Sequence, residues 1–554
     1  MLHLPPAGTA SRAGMREVRM RRAIVAAITA AVLAQLAWGA PGDEAVREED
    51  IAATIRFLAS PELEGRHAAE RGGAVASAFV AHKLEALGWL PAGDETPGGR
   101  SWFQAVPAVE ASYDPAASSL VASGGSKPEA RLDGASGKLV VVPDRAESVS
   151  VSGPLAFVGF GIRAPEYGHD DYEGLDVKGR IVVALSGEPG ETDPASKWNG
   201  ARPTRHLLVA AKARLAQSLG AAALLVVPNP AGRARSAADL VAGRKEDLAR
   251  PWVGLDGVPA PLPVAYLDTA GAAAVLDGTG LDIGAASAEL EAGRKASRLL
   301  VDRKASLALG YRDRRTLQLR NVVARLGAGK GLDGDAVILG AHWDHLGSPG
   351  GTLHPGADDN ASGVAGLLAA AAALKASPPK GPAEIVIASW TGEEEGRLGS
   401  AAFLRRPPVT KERIRTVVNL DVFGRANLDR KDYAAAIQII YSAAAPVLRD
   451  LAAAASEGLG LDLRYYPALR LQPVSDHYTF FEAGIPIVYP FAGYIAEYHG
   501  PGDTADKIDV RRVAASSRLV ARLVRLLAEH SGPIRLDPAI KDAPPPDPFE
   551  RPES

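Results

Sequence analysis

At 554 residues the chain exceeds what one hydrophobic core usually holds, so two or three domains are expected. A composition 47% hydrophobic and 23% charged, with a net charge of −3, excludes disorder as the main state and gives no reason to expect nucleic acid or an anionic membrane as a partner. Cysteine is absent, which removes disulfides, thiol nucleophiles and thiolate-bound zinc and leaves nitrogen and oxygen donors for any metal.

Residues 1–39 have the layout of a secretory signal peptide. Arg16, Arg19, Arg21 and Arg22 precede the apolar run Ala23 to Ala37, and Ala37-Trp38-Gly39 offers small residues for cleavage. The run is short for a membrane span, and no later stretch approaches one, so a soluble protein outside the cytoplasm, free of the membrane after cleavage, is expected. Residues 40–114 form the next segment, helical in pattern from about 44 to 102, with apolar positions at helical spacing over Ile51–Leu58 and again from Ala74 to Leu87, where Gly88 stops the pattern. Residues 115–285 change texture. Short Val-rich strands (138–142, 155–158, 180–184 and 222–227) alternate with Gly, Pro and Asp turns, and a helix spans 207–219. This reads as a β-rich insertion, in which Asp170, Asp171 and Asp176 are better explained as turn residues than as calcium ligands.

Residues 286–535 alternate strands and helices. Strands are expected at 321–326, 335–340, 384–388, 416–420, 436–440 and 485–489, and near-continuous apolar strands between helices indicate a mixed, largely parallel sheet covered on both faces. Residues 536–554, rich in Pro and charge, read as a disordered tail.

In α/β sheets, ligands bind beyond the carboxyl ends of the strands. There the sequence places His342, then Glu393-Glu394-Glu395, then Asp421, and later Tyr498-His499; Asp359 opens the apolar helix from Val364. Each has an ordinary explanation: a structural histidine, a helix cap, a solvated acidic run, a turn former. All of them must hold together at one sheet edge, however, and three consecutive carboxylates repel one another unless a cation lies nearby. Such nitrogen and oxygen donors suit Zn²⁺ or a similar divalent ion.

Five segments, in order, resemble the co-catalytic zinc peptidases, the family of bacterial leucyl aminopeptidases, aminopeptidase Y and glutamate carboxypeptidase. They are Ala341-His342-Trp343-Asp344, Gly356 to Gly363, Glu393 to Ser400, Asn419-Leu420-Asp421 and Tyr498-His499. Leu58 to Arg66 is similar to that family's N-terminal signature, and Phe157 to Gly179 to the protease-associated domain inserted in many members. The resemblance implies the zinc exopeptidase fold and two Zn²⁺ bridged by Asp359. His342 and Asp421 would complete one site, Glu394 and His499 the other. A water between the metals would attack the peptide bond, with Glu393 as general base, Asp344 orienting His342, and Tyr498 donating to the oxyanion.

His345 reads as supporting or structural, His354 as exposed, and Asp476 and His477 as supporting or substrate-lining. Glu395 and Arg397 stand where apolar residues are usual in that family. The expected activity is removal of N-terminal residues from peptides. A carboxypeptidase or dipeptidase with the same cage, a glutaminyl-cyclase-like acyltransferase and an inactive receptor-like protein are the alternatives. Nothing in the sequence fixes an oligomeric state.

Overall fold

The computed structural model describes residues 40–537 apart from 126, 199–203, 235, 242–249, 328–330, 426–435 and 469–473. The expected signal peptide, and all but the first two residues of the expected tail, lie outside the described residues. Among those residues, no helix is long and apolar enough to cross a membrane.

Two helices open the fold where the apolar spacing places them, α1 (Glu48–Leu58) and α2 (Arg71–Ala86). Ile51, Ile55 and Leu58 of the first and Val80 and Leu84 of the second are buried. Next comes β1 (Phe103–Ser123), a strand of 21 residues that was not expected. Pro107 brings no N–H to the sheet, but its carbonyl still accepts from Asp256 at 3.0 Å.

The inserted half holds β2 (Val149–Phe157), β3 (Ile181–Leu185), α3 (Val209–Ser218), β4 (Ala223–Val227), β5 (Trp252–Leu255) and β6 (Val264–Leu267). β2, β3, β4 and β6 lie parallel, in that order, with apolar clusters on both faces. The Asp pair at 170–171 serves the turn, as expected: Asp171 accepts the N–H groups of Phe160 and Ile162, each at 3.0 Å.

A strand of 28 residues, β7 (Arg298–Arg325), then carries the chain out of the inserted half. It pairs antiparallel with β2 near its start and with β1 along most of its length, so both halves share one hydrogen-bonded sheet. The expected domain boundaries at 115 and 285 fall inside β1 and inside the helix Ile283–Glu291.

The remaining elements are β8 (Ala336–His342), α4 (Gly363–Ala376), β9 (Glu384–Trp390), α5 (Leu398–Arg405), β10 (Ile414–Asn419), β11 (Ala436–Ser442), β12 (Asp462–Ala468), α6 (His477–Glu482), β13 (Ile487–Phe491) and α7 (Val510–Glu529). The sheet order is β12-β11-β13-β10-β8-β9-β7. β13, β10, β8 and β9 are parallel; β7 and β11 join them antiparallel. β8, β9 and β10 are buried along their whole length, as parallel strands covered on both faces must be. One face packs on α1, α2, α4 and α7, the other on Phe403 of α5 and Phe480 of α6. The architecture is therefore the expected mixed, largely parallel α/β sheet flanked by helices.

Candidate metal centre

Parallel strands end on the same edge, and that edge collects the candidate residues. His342 is the last residue of β8, two positions beyond where the apolar run suggested the strand would stop. Glu393 and Glu394 follow β9, Asp421 follows β10, and His499 lies in the loop after β13. Asp359 precedes α4, the helix behind the rim, apolar up to Lys375 in its last turn.

Asp359 divides its two oxygens between two imidazoles. Its Oδ1 lies 3.3 Å from His342 Nε2, and its Oδ2 lies 3.2 Å from His499 Nε2. His342 Nε2 is also 3.2 Å from Asp421 Oδ1, and His499 Nε2 is 3.2 Å from Glu394 Oε2. Two groups of donors thus meet at one shared carboxylate. His345 Nδ1 donates to the other Glu394 oxygen at 2.7 Å, which aims Oε2 toward His499.

The loops are tied down through their backbones. Asp503 accepts the N–H of Asp358 at 2.9 and 3.0 Å and that of Asp359 at 3.0 Å. Asn360 accepts from Gly363 N at 3.1 Å, the helix-capping role its residue type favours, while its Nδ2 donates to Leu420 O at 2.9 Å. One side chain thereby links the loop of Asp359 to that of Asp421. The carboxylate of Asp344 receives the N–H groups of Glu393 and Glu394 at 3.3 and 3.4 Å. His342 Nδ1 is nearer the Asp344 carbonyl (3.2 Å) than its carboxylate (3.8 Å).

The electrostatics are those of an acidic hollow. Burial raises the carboxyl pKa of Glu393 well above the usual range, and Asp476, Asp421 and Glu394 add to the effect while His342 opposes it. Burial likewise pushes Asp421 up, and Asp476 up to about 7. Asp359 is opposed by burial and by Glu394, yet hydrogen bonds from His342 and His499 hold it below the usual range. Ligand atoms of His342, Asp359 and Glu394 lie within 4.8 Å of one another. Clustered carboxylates whose charges conflict, with imidazoles interleaved, form a donor set that fits a divalent cation.

Residues 321–524 match the sequence profile of Peptidase family M28, and residues 106–275 match that of the PA domain. The chain belongs to peptidase family M28. It is therefore a metallopeptidase-type hydrolase with an inserted PA domain. It is 30% identical over 227 residues to the uncharacterized protein YfbL of Escherichia coli (strain K12), covering 35% of this chain and 67% of that one. It is 26% identical over 202 residues to a probable leucine aminopeptidase of Arthroderma benhamiae, covering 35% of this chain and 54% of the relative, about half its length. Its fold is similar to that of an aminopeptidase from Aneurinibacillus sp. strain AM-1, with a TM-score of 0.51 and 22% identity over 90% of this chain and 97% of that chain.

The remaining residues of this M28 chain fall around the rim. Tyr498 stacks on His499 at 4.0 Å, and burial, then the charges of Asp359 and Glu394, keep its hydroxyl protonated far above the usual range. Asp476 and His477 are both buried, and the His477 ring stacks on Tyr489 at 4.2 Å. His354 was expected on the surface and is buried instead. The reason is the segment ending in Arg66: it lies so close that a Cβ on Gly65 would come 2.7 Å from His354 O.

Glu395, beside the candidate ligand Glu394, meets His67 at 2.9 Å and Arg250 of the inserted half at 3.6 Å. An ionic environment replaces the apolar one that an aliphatic residue would have there. Sequence reasoning gave no role to Arg66, which donates to the carbonyls of Trp343, Pro355, Gly356 and Asp359. Its segment was read as a signature, but no role for the side chain was visible without the loops it touches.

Proposed function

We propose that the chain is an exported two-zinc aminopeptidase that removes N-terminal residues from peptides. The observation that carries the reading is the divided Asp359 carboxylate, each oxygen facing a different imidazole. His342, Asp421 and Asp359 would hold one zinc, and Glu394, His499 and Asp359 the other. Bound zinc would polarise the scissile carbonyl and make a water acidic enough to lose a proton near neutral pH.

The chain's own groups supply the rest. Glu393 takes the proton of the attacking water and returns it to the amine nitrogen as the C–N bond breaks; its raised pKa suits a group that must both accept and give back a proton. Tyr498 donates its hydroxyl hydrogen to the carbonyl oxygen as negative charge gathers there. Asp344 holds the backbone of Glu393 and Glu394, so base and ligand move as one unit. Preference for the N-terminal end draws support from the fungal relatives' description as probable leucine aminopeptidases. Export draws on the Arg-rich start and apolar run of residues 16–37.

Activity of the purified protein on amino-acid p-nitroanilides should exceed that on C-terminal dipeptide substrates and vanish on chelation. Insensitivity to chelator would sink the metal reading. Glu393→Ala should keep its zinc yet lose about 10²–10⁴-fold in kcat. Near-normal turnover by that variant would remove Glu393 as the base.

A further inference from the structure

We propose that Arg66 is the positioning residue of the metal centre, its guanidinium fixing the loop behind His342 against the loop that carries Asp359. The proposal rests on the two-zinc reading above.

Arg66 is completely buried and uses all its donors on backbone carbonyls. Nε donates to Trp343 O at 2.9 Å. Nη1 donates to Leu58 O at 2.9 Å and Pro355 O at 2.5 Å. Nη2 donates to Gly356 O at 2.7 Å and Asp359 O at 3.2 Å. A guanidinium has five N–H groups in one rigid plane, so this site is saturated.

The acceptors are not scattered. Trp343 directly follows His342, and Pro355 to Asp359 is the loop that ends in the shared carboxylate. The Arg66 carbonyl completes the join by accepting the N–H of His345, whose ring orients Glu394. One planar fork therefore sets the spacing of the segments that present His342 and Asp359. Its positive charge also faces the carboxylates of Asp359, Asp503, Asp344 and Glu394, softening their mutual repulsion at a place no solvent reaches. A lysine cannot stand in, because three donors on one atom cannot reach carbonyls spread around a plane.

The backbone offers a clean test. Arg66 has φ of 44°, in the left-handed region where glycine is at ease, so Arg66→Gly deletes the side chain without straining the chain. It also leaves a hole of guanidinium shape. Zinc titration of the metal-free full chain is the primary readout, alongside kcat and KM.

Arg66→Gly should bind zinc about 10–100-fold more weakly, with kcat falling more than KM rises. Millimolar guanidinium should restore much of both, whereas urea, the same shape without charge, should not. If Arg66→Gly does not fold, Arg66→Lys decides: wild-type zinc affinity in that variant overturns the proposal, and weakened affinity supports it. Two zinc ions on the unmodified chain and two, equally tight, on folded Arg66→Gly overturn this proposal alone. A defect that guanidinium leaves untouched also overturns it. Fewer than two zinc ions on the unmodified chain would bring down the two-zinc reading and this proposal together.

Discussion

Both halves of the chain line up parallel strands, and both bury ionisable side chains beyond the strands' carboxyl ends, but the two sets of charges are answered differently. In the inserted half, Lys212 of α3 donates to Leu185 O at 3.0 Å and Gly187 O at 2.5 Å. Glu188 accepts from both the N–H and the hydroxyl of Thr204, and Glu291 accepts from Gly190 N at 2.7 Å and Asn229 Nδ2 at 3.1 Å. These three charges end on neutral partners, although elsewhere in the same half Asp171 meets His169 at 3.0 Å and Asp144 pairs with Arg145 at 2.7 Å. At the metal rim, by contrast, burial and neighbouring carboxylates make several acidic groups resist ionisation, against the pull of His342. Buried charge alone does not mark a site; buried charge that the chain leaves in conflict does.

The sharpest way to break this contrast is to remove the shared carboxylate. Asp359→Ala should reduce zinc from two ions to one at most and abolish peptidase turnover, read by metal analysis of the purified variant. Full zinc content would mean that the rim resolves its charges as the inserted half does. A smaller effect is expected at His345, which orients the proposed ligand Glu394. His345→Ala should weaken zinc binding about 10–100-fold against a competing chelator. Unchanged affinity would show that Glu394 needs no orienting partner.

The same contrast explains what the sequence made legible. Strand ends and a helix start could be read from apolar runs, and the residues beside them announced the polar edge at which the structure gathers His342, Asp359, Glu394, Asp421 and His499. The fold class followed from the same runs. What stayed hidden depends on distant partners. β1 is held extended by its long pairing with β7, a partner that local patterns across Phe103–Ser123 do not reveal. Arg66 acts on carbonyls up to 293 positions away, and no spacing rule reaches so far. His354 stands in a His-Pro-Gly sequence that reads as exposed, yet it is buried, with the distant Gly65 segment close against its backbone.

A last test concerns the inserted half. Lys212 is fully buried, and burial pushes its ammonium pKa down from 10.5 to about 8, outweighing the pull of Asp171, Glu188 and Glu191. Below about pH 8 the lysine is charged in both folded and unfolded chains, and the cost of burying that charge is present in full. Between about 8 and 10.5 the unfolded chain keeps a proton that the folded chain has shed, so the stability of this half should rise with pH across that window. A change of that size corresponds to about 3 kcal/mol. The neutral amine loses nothing structurally, since its two N–H groups still match the two carbonyls of Leu185 and Gly187. Lys212→Met cannot titrate, so the stability of the parent chain relative to this variant should increase from pH 7 to 10, followed by urea unfolding or by amide exchange within β3 and β4. A difference that stays flat would mean that Lys212 keeps its proton, held by Asp171, Glu188 and Glu191. The charged lysine would then form a buried ion cluster with those carboxylates.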